Sequence, residues 1–386
     1  MSTASGMSAQ FMAIMNVCKA GDNIITSSNL YGGTYTQFKC LLPQCGVEAR
    51  FTQGNAGTPN IEEIRAAIDE NTKLIYIETL GNPAYNVPDF DALKELAAQY
   101  ELPIFCDNTF GMCGYTCRPI QLGAHVVVAS ATKWIGGHGT TIGGVIVDSS
   151  KFDWSAPVRS ELGNPASAPK EDDKGKPVAK FPLINGPCEA YHGMNFWDVF
   201  GPGGPFKANI AFIIRARVVN LRDIGASQNP FGSFLLVQGL ETLSLRGAAH
   251  SKNANALAAW LEAQPEVAWV SHASLPSHPS HANAAKYFRK GCFGAVLSFG
   301  VQGGKAAGMT FISNVKLATH LANVGDAKTL VIHPASTTHE QLSPEEQATA
   351  GVTEDMIRVS VGYEDIEDIK ADFQQAWAAK AEVKAD

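Results

Sequence analysis

The sequence predicts an α/β fold built on a mostly parallel sheet with helices on both faces, followed by a smaller α+β part. Three observations carry that prediction. Short apolar runs of strand length recur along residues 1–150. Amphipathic stretches with helical spacing separate them, and this alternation marks parallel strands joined by crossover helices. At 386 residues the chain is long enough for two domains, or for one large domain with an appendage.

Taken in order, Ser5 to Val17 reads as a helix with Phe11, Ile14, Met15 and Cys18 on one face. Gly21-Asp22 turns the chain into a strand at Asn23 to Thr26. Asn60 reads as an N-cap with Glu63 three residues on, a capping box that opens a helix through Ile68. Leu74 to Glu78 is the next strand. Asp89 caps a helix running to Tyr100, and Pro103 to Asp107 and Val126 to Ser130 are further strands. Residues 155–205 change character. They are rich in Pro, Gly and Asn and carry the run Lys170-Glu171-Asp172-Asp173-Lys174, so a long surface excursion with its charges in water is expected. Loops of that length often serve as lids or subunit contacts. After Phe231 an apolar stretch leads into a long helix, Ala248 to Ala263. It is expected to join a large domain over residues 1–247 to a small domain over residues 248–386. The small domain mixes strands such as Ala295 to Phe299 with helices ending near Ala379, and the charged tail Lys380 to Asp386 is expected to fray.

The net charge of -7, with no basic block, argues against a nucleic-acid partner. No run reaches the length of a membrane-spanning helix. Met1 leads into Ser2-Thr3-Ala4-Ser5-Gly6, which lacks the charged and apolar regions of a secretory signal. The eight cysteines are scattered, some inside apolar runs such as Ile104-Phe105-Cys106, which suits reduced thiols in a cytoplasmic protein. Neither Cys113 with Cys117 nor His278 with His281 has the partners a metal site needs.

The segment with most chemical content is Ser130-Ala131-Thr132-Lys133, which follows the apolar run from His125 to Ala129 and precedes Ile135-Gly136-Gly137-His138-Gly139. Burial disfavours a charged lysine, and a neutral amine in an apolar pocket is what a carbonyl cofactor needs to form a Schiff base. Ser130 and Thr132 add two hydroxyls where a phosphate could be held. Lys133 therefore reads as the carrier of pyridoxal 5'-phosphate (PLP). A snorkelling lysine, its stem buried and its ammonium in water, is the competing reading.

Other polar groups stand at the carboxyl ends of neighbouring strands, where open α/β sheets bind their ligands. Asp107 is a carboxylate suited to keep a proton on a pyridine nitrogen, or else a plain capping Asp. Tyr31, before Gly32-Gly33, offers a ring to stack on the cofactor and a hydroxyl to move a proton, or is a turn tyrosine. Asn82 can bond the ring hydroxyl, or belongs to an Asn-Pro turn. Ser5-Gly6-Met7 opens the first helix, where free N–H groups and the helix dipole suit a phosphate. Farther on, Arg358 sits between apolar residues of a strand and needs an anion. A substrate carboxylate and a structural ion pair are both open to it.

These motifs resemble the Cys/Met-metabolism family of PLP enzymes, the cystathionine γ-synthase-like group of fold type I (aspartate aminotransferase-like). The matching segments are Ala20-Gly21-Asp22, Leu30 to Thr34, Glu78 to Pro83, Asp107 to Phe110, Ser130 to Gly139 and Arg358 to Gly362. Within the family the chain is most similar to the O-acetylhomoserine sulfhydrylase branch. The stretches Asn229 to Leu243 and Asn323 to His339, and the excursion after Val147, carry that likeness. The resemblance implies Lys133 as the Schiff-base lysine, Asp107 at the pyridine nitrogen and Tyr31 stacked on the ring. It implies Gly6, Met7, Ser130 and Thr132 at the phosphate, and Arg358 at the substrate carboxylate with Asn323 nearby. It further implies an amino-acid substrate, a homo-oligomer (dimer or tetramer), and replacement at Cγ of an O-acylhomoserine by a sulfur nucleophile. A carbon nucleophile, γ-elimination, or a non-catalytic PLP-fold protein are the alternatives it leaves open. Family members carry, before the position of Ser5, a segment with a Tyr-x-Arg motif that reaches the neighbouring subunit's phosphate. This sequence holds no counterpart, so either the chain is shortened or the cofactor is held without that clamp.

Overall fold

A computed structural model describes residues 1–54, 60–82, 84–337, 340 and 351–379. The turn proline Pro83, the motif end Thr338-His339 and the charged tail lie outside the described residues.

Seven strands form the main sheet: β1 (Ser2–Thr3), β2 (Asn23–Ser27), β3 (Glu48–Thr52), β4 (Thr72–Glu78), β5 (Ile104–Asp107), β6 (Val126–Ser130) and β7 (Gly144–Asp148). Their order is β1-β7-β6-β5-β4-β2-β3. β3, β2, β4, β5 and β6 pair in parallel, while β7 runs antiparallel to both β6 and β1. Alternate residues of one strand enter different cores, as the pleat requires. Ile24, Leu74 and Phe105 face Met12 and Ala13, whereas Ile25, Ile75 and Ile104 face Phe90 and Leu93. Covering on both faces explains why the central strands read as unbroken apolar runs.

The first helix, α1 (Gly6–Met15), is capped by Ser5. Its most buried residues include Ala9, Met12 and Ala13, while Phe11 and Met15 are half-buried. The expected single apolar face was too narrow, because α1 is wedged between β6–β7 and residues 216–221. The expected capping box at Asn60 is half-formed. Asn60 accepts the Glu62 N–H at 3.0 Å, but Glu63 accepts from the Asn60 side-chain amide at 3.4 Å rather than from its backbone, and takes the N–H groups of Gln53 and Gly54 on its other oxygen. Strand β3 carries no sequence signal of its own, whereas β7 is a Val145-Ile146-Val147 run that the sequence expectations left out. The edge sequence Glu48-Ala49-Arg50-Phe51-Thr52 is mostly half-buried or exposed, and tertiary pairing makes it a strand.

Residues 155–205 fold back on themselves through bridges at Pro157–Ala179, Arg159–Pro169 and Glu171–Pro177, and contain a short hairpin, β8 (Pro187–Cys188) and β9 (Met194–Asn195). The charge run is exposed as expected. The excursion is nevertheless anchored, since Phe181, Ile184 and Phe196 are fully buried with Trp154 and Phe212 in the main core.

Helices Pro230–Glu241 and Leu243–Leu261 follow, the second beginning earlier than the expected Ala248. A second sheet comprises β10 (Val267–Ser271), β11 (Val296–Val301), β12 (Thr319–His320), β13 (Leu330–Ile332) and β14 (Met356–Ser360), in the order β10-β11-β14-β13-β12. Helices Gly304–Asn314 and Ile366–Ala378 cover it, with Phe299, Phe311 and Phe373 at the centre of its core. Among the described residues no helix is long and apolar enough to cross a membrane.

Candidate active site

A cavity of about 280 Å³ opens at the carboxyl ends of β4, β5 and β6 and is closed on the far side by β14 and the 322–324 loop. Gly6, Met7, Tyr31, Asn82, Asp107, Ser130, Thr132, Lys133, Asn323 and Arg358 all line it. The ten residues singled out in the sequence, spread from position 6 to position 358, thus share one space.

Lys133 lies just beyond the end of β6. Its Nζ donates to Asn323 Oδ1 at 2.5 Å. Burial, and then the Arg358 guanidinium, lower its pKa from an ordinary 10.5 to about 8. The ammonium therefore gives up its proton more readily than an ordinary lysine, as a Schiff-base amine must. Arg358 is 6% exposed, in the middle of the second sheet between Ser298 and Ile332. No carboxylate among the described residues forms an ion pair with it. A buried guanidinium without a protein anion is costly, and its planar fork suits a carboxylate from outside.

Asp107 ends β5 and accepts the Thr109 N–H at 2.7 Å. The Thr109 hydroxyl in turn accepts from the Ser130 N–H at 2.8 Å, tying the ends of β5 and β6 together. Burial raises the Asp107 carboxyl above its usual range. At the start of α1, Ser5 takes the N–H groups of Ser8 and Ala9, with its hydroxyl and carbonyl respectively. Helix geometry leaves those of Gly6 and Met7 without an intrahelical acceptor, open to an anion. Gly6 must be glycine here, because a Cβ would stand 2.7 Å from Ser130 Cβ. The Thr132 hydroxyl bonds the Gly143 backbone, at 3.0 Å from its N–H and 3.2 Å from its carbonyl. Asn82 is 4% exposed, and its Oδ1 has no partner among the described residues. The Tyr31 ring lies over Gly33, where a Cβ would come within 2.6 Å of it.

Sequence reasoning missed Glu78, Gln10, Thr109 and Phe110 as lining residues. Glu78 could have been found: a carboxylate ending an apolar strand is unusual. Gln10 could also have been found, as the polar residue on the inner side of an apolar helix. Thr109 acts through local geometry that no spacing reveals.

Fold and cavity define a fold type I enzyme scaffold of the pyridoxal-phosphate class. The chain belongs to the Cys/Met metabolism PLP-dependent enzyme family, whose model matches residues 1–378. It is 53% identical to a homocysteine synthase of Schizosaccharomyces pombe, over 97% of this chain and 80% of that one. It is 47% identical to an O-acetyl-L-homoserine sulfhydrylase of Thermus thermophilus, over 98% of this chain and 82% of that one. Among solved structures, a Campylobacter jejuni chain containing N'-pyridoxyl-lysine-5'-monophosphate superposes with a TM-score of 0.85 at 33% identity, covering 98% of this chain and 82% of its own. The cofactor of the family is PLP, and this cavity fits it on its own terms. It presents an unpaired buried amide oxygen, an amine that loses its proton near pH 8, a buried carboxylate, and two unclaimed N–H groups at a helix start.

Proposed function

We propose that this chain replaces the acetoxy group of O-acetylhomoserine with a sulfur nucleophile, sulfide giving homocysteine and acetate. The single observation that carries this reading is the pairing of Lys133 with Arg358 in one cavity: an amine that readily gives up its proton beside a buried cation with no carboxylate partner among the described residues. The relatives named above, a homocysteine synthase and an O-acetylhomoserine sulfhydrylase, support the choice of substrate.

PLP, when bound, supplies an electron sink that makes the substrate's Cα and Cβ protons removable. The residues have the following parts. Lys133 would hold the cofactor, and its neutral amine would take the substrate's Cα proton. Asp107 would keep a proton on the pyridine nitrogen. Gly6 and Met7 N–H groups, with the Ser130 and Thr132 hydroxyls, bind the phosphate, and Asn82 bonds the ring hydroxyl. Arg358 grips the substrate carboxylate, and Asn323, bonded to Lys133, orients the amine. Tyr31 would stand over the ring and pass a proton near Cγ, where acetate would leave and sulfide enter. The large domain, residues 1–247, would supply the cofactor site, and the small domain, residues 248–386, the carboxylate grip.

Assembly as a homo-oligomer, dimer or tetramer, and work in the cytoplasm belong to the same reading. Its support is the exposed apolar face of the Pro230–Glu241 helix (Phe231, Phe234, Val237 and Leu240) and the eight free cysteines. Product analysis tests the reaction. Incubated with PLP and O-acetylhomoserine, the chain should release homocysteine and acetate only when sulfide is present. Release of a keto acid without sulfide would assign it to γ-elimination instead.

A further inference from the structure

Glu78 is the last residue of β4 and stands directly beside Asp107, its register partner on β5. In a parallel pair the two side chains point to the same face, so two carboxyl groups share one water-poor end of the sheet. They are not equally supported. Asp107 accepts from Thr109 twice, through the backbone N–H and the hydroxyl. Among the described residues Glu78 accepts one hydrogen bond, from the Tyr31 N–H to Oε1 at 2.8 Å. Adjacent buried carboxyls cannot both ionise cheaply, and the less supported one keeps the proton. Burial and the Asp107 charge both raise Glu78 well above its usual range. The groups facing it are Asp107 and Tyr76 on the same side of the sheet, with Lys133 and Arg358 across the cavity, while Cys106 lies nearby on the opposite face.

That single hydrogen bond falls at a decisive place. Tyr31 is the N-cap of α2 (Gly32–Thr36), and its own side chain caps nothing. Its ring is held from below by the bare Cα of Gly33, and its backbone is held by Glu78. Behind this turn a buried chain of amides continues to the phosphate end of the cavity. Thr34 and Tyr76 donate to Gln10 Oε1, Gln10 donates to Gln37, and Gln37 donates to the Met7 carbonyl. Residues 37–41 form a π-helical turn, a feature that recurs at functional sites.

We propose that Glu78 is a positioning residue, which sets where Tyr31 stands over the cofactor ring by accepting its backbone N–H at the end of β4. It holds Tyr31 as a neutral carboxyl group, leaving Asp107 as the one anion for the pyridine nitrogen. The inference rests on the cofactor reading above only for its consequence, since the hydrogen bond itself belongs to the cofactor-free chain.

The test compares wild type with Glu78→Gln, Glu78→Asp and Glu78→Ala by two readouts. In the cofactor-free chain, hydrogen exchange is followed on peptides containing Tyr31. In the loaded chain, PLP affinity and the circular dichroism of the bound chromophore are measured. Glu78→Gln keeps a neutral acceptor of the same length and should match wild type in both. Glu78→Ala leaves the Tyr31 N–H orphaned and Glu78→Asp withdraws the acceptor. Each should speed exchange at Tyr31 and weaken PLP by about tenfold, the scale of one lost buried hydrogen bond, with a changed dichroism. If Glu78→Ala does not fold, Glu78→Asp against Glu78→Gln makes the same comparison. Unchanged exchange at Tyr31 in the shortened variants overturns the proposal, and so does a Glu78→Gln variant as impaired as Glu78→Asp, which would show that a charge is required. If wild type binds no PLP, the cofactor reading falls, and the exchange measurement alone decides whether Glu78 positions Tyr31.

Discussion

At the scale of single residues, chemistry is set by charge partners rather than by identity. Lys133 is unusual because burial and Arg358 act on it together. A lowered lysine pKa means that the neutral amine appears as pH rises through about 8 instead of its ordinary 10.5. Loading of the cofactor-free chain with PLP should therefore quicken as pH rises through about 8 and level off above it. Replacing Arg358 by Met removes the repulsion, so the midpoint should move to higher pH. Stopped-flow absorbance against pH checks both, and an unmoved midpoint in the Arg358→Met chain would remove Arg358 from the account of Lys133. Asp107 and Glu78 show the same logic in reverse, two carboxyls driven apart by unequal hydrogen bonding.

At the scale of elements, the site depends on how closely α1 approaches the end of β6. Gly6 permits the contact, since a Cβ would lie 2.7 Å from Ser130 Cβ and 2.9 Å from its Cα. Gly6→Ala must push the helix start away from β6, and with it the two free N–H groups. PLP affinity should fall about tenfold or more, with little loss of far-ultraviolet helical signal, because charge-assisted contacts depend steeply on distance. Equilibrium titration with PLP measures it, and wild-type affinity would mean that the α1 start does not carry the phosphate. Much of this architecture could be read from the sequence, for a physical reason. Parallel strands buried on both faces leave long apolar runs, as in β4 and β6, and the polar residues that end them stand out. Strand β3 could not be read, because its residues take their conformation from β2 alone. The anchoring of the excursion through Phe181 and Phe196 was equally hidden, since scattered aromatics in a Pro/Gly-rich stretch have no period. The half-formed cap at Asn60 could not be read because Glu63 bonds the backbone of Gln53 and Gly54, ten and nine residues upstream, a contact that no local spacing reveals.

At the scale of the whole molecule, the cavity draws its lining from both sheets, so under the proposed function the second sheet would take part through Arg358 and, from the loop before β13, Asn323. The helix Pro230–Glu241 leaves Phe231 at 69% and Phe234 at 54% exposure on one face. Patches of this kind on a folded chain mark contact surfaces. If the proposed dimer or tetramer forms through this face, replacing both phenylalanines by Glu should lower the mass found by sedimentation equilibrium from that of the oligomer to that of a single chain. A wild-type chain that sediments as a monomer would contradict the oligomer.

The central claim is that Lys133 carries the cofactor, and borohydride reduction of the PLP-loaded chain followed by peptide mapping tests it most directly. Lys180 is an internal control. It too is buried, and its pKa is likewise lowered to about 8, but its Nζ donates to the Tyr100 carbonyl, away from the cavity. The account predicts a phosphopyridoxyl label on the peptide containing Lys133, and none there in the Lys133→Ala chain. A label on Lys180 or any other lysine, with Lys133 unmodified, would contradict it.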